Sequence, residues 1–175
     1  MEKKTLAIAL QDALSMEEKG HKFYMEAAQR GQNDVARKTF DFLARNELFH
    51  IESIKKFSNA INEKSELPSV LPDDTEIARS EEFKIFSTGI SELNEKIKPN
   101  DDDKQALEFA MDFENSGYKY YENMLKDAQE KNLKELLKFL LSEESKHHEL
   151  LMNLYSYVTD SQNWFMYEEG SFPQG

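Results

Sequence analysis

The amino-acid sequence predicts an all-α chain, a four-helix bundle made of two repeated helical hairpins joined by a long crossover. Three observations predict it. Glycine (6) and proline (4) are scarce among the 175 residues, which argues against turn-rich sandwiches and barrels. Apolar residues recur at steps of three and four through four long segments, the period of an amphipathic helix. The second half of the chain also repeats motifs of the first at one fixed offset, 97 residues, the distance from Glu17 to Glu114.

The first helix is predicted from Thr5 to about Arg30, on the spacing of Leu10, Leu14, Phe23, Tyr24 and Ala28, with Gly31 as its stop. The second starts at Asn33 or Asp34 and runs to about Asn62, with Phe40, Leu43, Ile54, Phe57 and Ile61 in phase. So short a loop makes the two antiparallel, giving a hairpin over 5–62. Residues 63–79 contain Pro68 and Pro72 and lose the period, which opens a crossover over 63–99. A shorter helix is expected within it over 80–97, before Pro99 and Asn100 stop the chain. The second hairpin spans 100–159. Its first helix starts at Asn100 or Asp101, with acidic residues in its first turn, and reaches about Ala128; its second runs from Leu133 to Thr159. The bundle thus fills 1–160. A tail over 161–175 carries Trp164, Phe165, Tyr167 and Phe172 and is expected to dock.

Charge and composition narrow the function. Thirty-four acidic against 22 basic side chains give a formal net charge of −12, which repels phosphate backbones and anionic membrane surfaces. Neither nucleic acid nor a membrane is an expected partner. The chain has no cysteine, so disulfides, thiolate metal sites and thiol nucleophiles are excluded, while His and carboxylate sites stay open. No apolar run approaches the ~18 residues of a membrane span, and the apolar stretch before Gln11 is too short for a secretory signal. A cytoplasmic protein is expected.

The repeat aligns EEKGHKFY (17–24) with ENSGYKYY (114–121) and ELFHIESI (47–54) with ESKHHELL (144–151). It also exposes an anomaly. The stripe Phe40, Leu43, Glu47, His50, Ile54, Phe57 and its partner Leu137, Leu140, Glu144, His147, Leu151, Leu154 should both face the bundle core. Each carries a Glu and a His three apart at its centre. The other two helices each carry a Glu at mid-stripe, with Leu10, Leu14, Glu17, His21, Tyr24, Ala28 and Leu107, Met111, Glu114, Tyr118, Tyr121, Leu125. Glu18 and Glu143 fall one step off these stripes. Four inward carboxylates repel one another, and each alone costs several kcal/mol to bury, yet no Lys or Arg lies on the stripes. Two divalent cations, with two neutral imidazoles completing the set, balance the charge. His21 lies on its stripe too, either as a further ligand or as a hydrogen-bonded core histidine.

These residues resemble the rubrerythrin-related branch of the ferritin-like di-iron carboxylate proteins, whose bundle takes one Glu from each of two helices and Glu-x-x-His from each of the other two. The resemblance covers nearly the whole chain. It implies a ferritin-like bundle in which Glu17 and Glu114 are ligands from the first and third helices, and Glu47, His50, Glu144 and His147 supply the two Glu-x-x-His pairs. Tyr24 and Tyr121, two turns after their Glu, would be hydrogen-bond donors over the site. Two departures matter. Rubrerythrins proper carry a Cys-ligated iron domain that feeds electrons to the di-iron site, so a chain without Cys needs a separate electron donor, such as a rubredoxin-type protein. They also carry an extra Glu one turn after the third-helix ligand, where this chain has Gly117. That leaves a symmetric six-ligand set, closer to ferritin-type ferroxidase centres.

A carboxylate-rich set without thiolates suits iron, with manganese and zinc the other ions it accepts. The function expected is therefore a di-iron oxidoreductase that reduces H2O2 or O2 in oxidative-stress defence, with an external donor. The alternatives are a ferroxidase that stores iron and a non-catalytic, metal-stabilised binding module. The aromatic tail and the symmetry of the halves point to a homodimer.

Overall fold

The computed structural model of the chain describes residues 3–31, 33–63, 65–68 and 101–159. They form four helices, α1 (Lys3–Arg30), α2 (Asp34–Asn62), α3 (Asp101–Asp127) and α4 (Lys131–Thr159), and no strand among the described residues. The short helix expected over 80–97 and the aromatic tail lie outside the described residues.

Local chemistry explains the tight turn of the first hairpin. The backbone N–H of Gly31 makes the last bond of α1, to the Ala27 carbonyl (2.9 Å). Asn33 sits in an extended conformation (φ −83°, ψ 123°), and its side-chain oxygen accepts from the Val35 and Ala36 N–H groups at 2.8 and 3.1 Å. Two of the four donors left open at a helix start are thereby satisfied. The α3–α4 turn is equally short, Ala128–Glu130.

Packing is closest within each hairpin, α1 along α2 and α3 along α4, and the hairpins then meet α1 against α3 and α2 against α4. Two contacts fix how they meet. The Tyr120 hydroxyl donates to the Ala9 carbonyl (2.8 Å), near the start of α1. At the other end the Asn33 N–H donates to Asp103 (3.2 Å), near the start of α3. So α1 and α3 run antiparallel, and the two halves are related by a pseudo-two-fold axis across the middle of the bundle.

The stripes predicted on α2 and α4 face the core, while those on α1 and α3 are corrected by one position at alternate turns. The buried line runs Leu10, Ala13, Glu17, Gly20, Tyr24, Ala27 in α1 and Leu107, Ala110, Glu114, Gly117, Tyr121, Met124 in α3. Leu14, His21 and Met111 sit half-buried at the edge, and Tyr118 is exposed. Small residues win the central positions because Ala and Gly let neighbouring helices approach closely, and the bulky side chains beside them cover the margin.

The core is divided in two. One apolar cluster gathers around Tyr24, Phe40, Leu43, Leu107, Leu151 and Leu154; the other surrounds Leu10, Ile54, Phe57, Tyr121, Leu137 and Leu140. Between them lies a layer of Glu and His side chains. Among the described residues no helix is long and apolar enough to cross a membrane.

Replacing Asn33 by Ala removes the cap of α2 and is expected to lower stability by about 1 kcal/mol. A fall in the urea midpoint with an unchanged m-value checks it; an unchanged midpoint would show that the cap contributes nothing.

Candidate metal centre

Each helix delivers its polar residue at the same height because the four stripes all reach the pseudo-two-fold axis at mid-helix. Glu17, Glu47, Glu114, Glu144, His50 and His147 converge there, none more than 3% exposed. Three of them, Glu17, Glu47 and His50, place ligand atoms within 4.8 Å of one another, and so do Glu47, Glu114 and His147. Glu47 belongs to both groups. Its Oε2 lies 3.5 Å from His50 Nδ1 and its Oε1 3.6 Å from His147 Nδ1, so one carboxylate spans the two imidazoles. Glu144 also reaches across, with an oxygen 3.9 Å from His50 Nδ1. Glu17 and Glu114 flank this pair, 3.2 Å from His50 Nδ1 and 3.5 Å from His147 Nδ1 respectively. The two imidazoles lie nearly parallel, with ring centres 5.4 Å apart.

The tyrosines cross between the halves. Tyr24 donates to Glu114 and Tyr121 to Glu17, so each phenol reaches the carboxylate of the opposite hairpin rather than that of its own helix. A seven-residue step carries the phenol two turns along, and in antiparallel helices that brings it beside the other Glu. His21 takes no part: its Nδ1–H donates to the Ala44 carbonyl (2.7 Å). Glu18, one step off its stripe, is exposed, as are Glu52 and Glu149.

The electrostatics are those of charge held out of water. Burial works to raise every carboxyl here. At Glu17 it is outweighed by the neighbouring Glu47 carboxyl, the His50 charge and the His50 and Tyr121 donors, which bring the group down to about 2. Glu114 is likewise lowered against burial, by Glu144, His147 and Tyr24. Glu47 and Glu144 go the other way, pushed well above the usual carboxylate range by burial and by the charges of Glu17 and Glu114. For His50, burial favours the neutral ring, but Glu17 and Glu47 together raise it well above its ordinary value. The phenols of Tyr24 and Tyr121 are raised well above theirs by burial and by the carboxylates they face, so they remain neutral donors.

Hydrogen bonding does not complete this layer. Six buried side-chain atoms among the described residues have no partner, and four of them are here: both oxygens of Glu47, Oε2 of Glu114 and Nδ1 of His147. Buried polar atoms are nearly always paired. Acceptors and an imidazole nitrogen left open and aimed at a common centre fit a divalent cation, and an oxygen-rich set with nitrogen and no sulfur fits iron or manganese.

The family model described as Rubrerythrin matches residues 9–155. The chain belongs to the rubrerythrin family. Comparison with curated proteins and with solved structures finds no match. Membership agrees with the helical bundle and with a buried carboxylate and histidine layer able to hold metal. It also makes Gly117 informative, because this is where the resemblance to rubrerythrins called for a further Glu. A Cβ on Gly117 would stand 3.0 and 3.1 Å from the Glu144 carboxylate. The space from which another side chain would start is taken by Glu144 itself.

The structure brings one further buried residue to the site. Glu143, one step off the predicted stripe, is only 6% exposed and places an oxygen within 4.8 Å of both imidazoles. The sequence holds no signal for this: the repeat equivalent of Glu143 is the half-buried Asn46, and its burial comes from the rings it lies against.

Gly117→Ala is expected to push the Glu144 carboxylate aside and weaken divalent-metal binding by at least about tenfold, the scale of lost support around a metal site. In Gly20→Ala the new methyl meets the edge of the half-buried Phe113 ring at 2.7 Å, which can swing outward, so loading should match the parent chain. Calorimetric titration with Mn(II) checks the pair; equal affinities for both variants would contradict the role given to Gly117.

Proposed function

We propose that the chain is a di-iron oxidoreductase that reduces hydrogen peroxide or dioxygen with electrons from a separate donor. Glu17, Glu47, His50, Glu114, Glu144 and His147 are the ligands in this reading. The observation that carries it is the set of convergent, unpartnered ligand atoms in a buried layer of four carboxylates and two imidazoles. The charge balance supports two ions, because four carboxylates carry −4 and two divalent cations +4.

When bound, a ferrous pair supplies the two electrons that turn H2O2, with two protons, into two waters. The protein's part is position and exclusion of solvent. Glu47, whose two oxygens face the two imidazoles, and Glu144, which reaches His50 from the other hairpin, would hold both ions, and Glu17 and Glu114 would each hold one. Tyr24 and Tyr121 each hold one oxygen of an end carboxylate and leave the other for the metal. The apolar clusters on either side keep bulk water from the layer. A chain without Cys has no thiolate-ligated iron of its own, so re-reduction falls to another molecule.

A second reading, a ferroxidase that oxidises and stores iron, is favoured by Gly117: without a further Glu at this position the set of four carboxylates and two imidazoles is symmetric. Anaerobic Fe(II) loading followed by metal analysis and addition of H2O2 separates the readings. The reductase should stop at two iron ions per chain, be oxidised by about one H2O2 per pair, and turn over when a donor is supplied. Glu114→Ala should keep its helices by circular dichroism and lose the second ion. Uptake well beyond two ions would favour the ferroxidase, and no oxidation by H2O2 or O2 would refute both.

A further inference from the structure

The symmetric six-residue set has an asymmetric surround. Asn46 and Glu143 immediately precede Glu47 and Glu144 and are equivalent in the repeat, yet one side chain is a neutral amide and the other a carboxylate. Both lie against the imidazoles. Asn46 Nδ2 is 3.2 Å from His147 Nε2, across the seam between α2 and α4. Glu143 has an oxygen within 4.8 Å of a nitrogen of each ring, is buried, and accepts a hydrogen bond from Lys146. At the position of Lys146 the first hairpin has Phe49, so this clamp exists on one side alone.

The direction of the imidazoles decides what these neighbours do. The Nδ1 atoms of both rings face the carboxylates, at 3.2 Å from Glu17 for His50 and 3.5 Å from Glu114 for His147. A metal held on Nδ1 leaves the ring proton on Nε2, where it needs an acceptor. For His147 the group at hand is the Asn46 amide, which must then present its oxygen rather than its nitrogen; for His50 the repeat puts the Glu143 carboxylate in the equivalent place, with an oxygen within 4.8 Å of a ring nitrogen. A carboxylate partner makes an imidazole a stronger ligand than an amide partner does, because it stabilises the positive charge drawn onto the ring.

We propose that Asn46 and Glu143 are positioning residues for the two imidazole ligands, and that their difference makes the two metal positions inequivalent, with the His50 position the tighter. This rests on the two-metal reading above. The amide of Asn46 turns over when the His147 position fills, and Glu143, fixed by Lys146, needs no rearrangement.

Titration of the full chain with Co(II) alone, followed by visible absorption, tests this. The parent chain should bind two ions in two unequal steps. Glu143→Gln should weaken the tighter step about 10- to 100-fold and leave the other within about twofold. Asn46→Asp should tighten the weaker step, and Asn46→Leu should weaken it. In the Zn(II)-loaded chain, nitrogen-15 spectra of the imidazoles should show His147 protonated at Nε2, with that proton exchanging faster in Asn46→Leu. Steps that ignore Glu143→Gln and Asn46→Asp in variants with parental circular dichroism would overturn this inference while leaving the two-metal reading intact, as would a Glu143→Gln variant in which both steps weaken alike. Failure of the parent chain to take up a pair of ions would overturn both.

Discussion

Four carboxylates buried in the middle of a helical bundle are the constraint from which the rest of the structure follows. Taking a carboxylate out of water costs several kcal/mol even after relaxation, and placing Glu17, Glu47, Glu114 and Glu144 together adds their mutual repulsion. The molecule meets this cost with what faces the layer. Tyr24 and Tyr121 donate to the end carboxylates, Glu17 and Glu47 raise the His50 ring well above its ordinary value, and burial with the neighbouring carboxylates raises Glu47 and Glu144 well above theirs. Protons thus do part of what divalent cations do better, and atoms of Glu47, Glu114 and His147 remain without partners.

The same constraint explains the architecture around the layer. An apolar core interrupted by charge has to be rebuilt on both sides, and the two clusters above and below the site are that rebuilding. Duplication makes it economical, since one hairpin design, used twice about a two-fold axis, supplies two end carboxylates, two Glu-x-x-His pairs and two crossing phenols. The halves then diverge at the margins: Phe113 packs over Gly20 whereas Glu144 fills the space beside Gly117, and Asn46 faces one ring where Glu143 and Lys146 serve the other half.

Much of this was legible in the chain itself, for a physical reason. A Glu or His in the middle of an apolar stripe is conspicuous, and the shared offset of 97 residues turns two weak motifs into one strong pattern. The stripes of α2 and α4, dense in Leu, Ile and Phe, carry enough hydrophobic signal to fix their facing. Those of α1 and α3 do not, because their central positions are Ala13, Gly20, Ala110 and Gly117, and small residues are buried for proximity rather than hydrophobicity. The same blindness applied to Glu143, whose burial follows from the ring it lies against and not from its step along the helix. The exchange of phenols between hairpins required the antiparallel pairing of α1 with α3, which no local spacing contains.

The most direct test of the account is the stability of the protein at two pH values with and without metal. Glu47 and Glu144, raised from 4.5, and His50, raised from 6.5, bind protons more tightly when folded. Their contribution is complete below those ordinary values and is lost as the pH rises through the folded ones. Glu17 and Glu114, lowered from 4.5, contribute above that value and lose it in acid. The chelated protein should therefore be most stable at about pH 4.5 and weaken steadily toward about pH 8. Excess Mn(II) should abolish the alkaline loss, because metal replaces the protons as the neutralising charge and binds more tightly as they leave. Urea unfolding at about pH 5.5 and 8 measures both terms. A chelated protein that weakens toward pH 8 beside a loaded one that does not is the result this account predicts; superimposable curves with and without metal would contradict it.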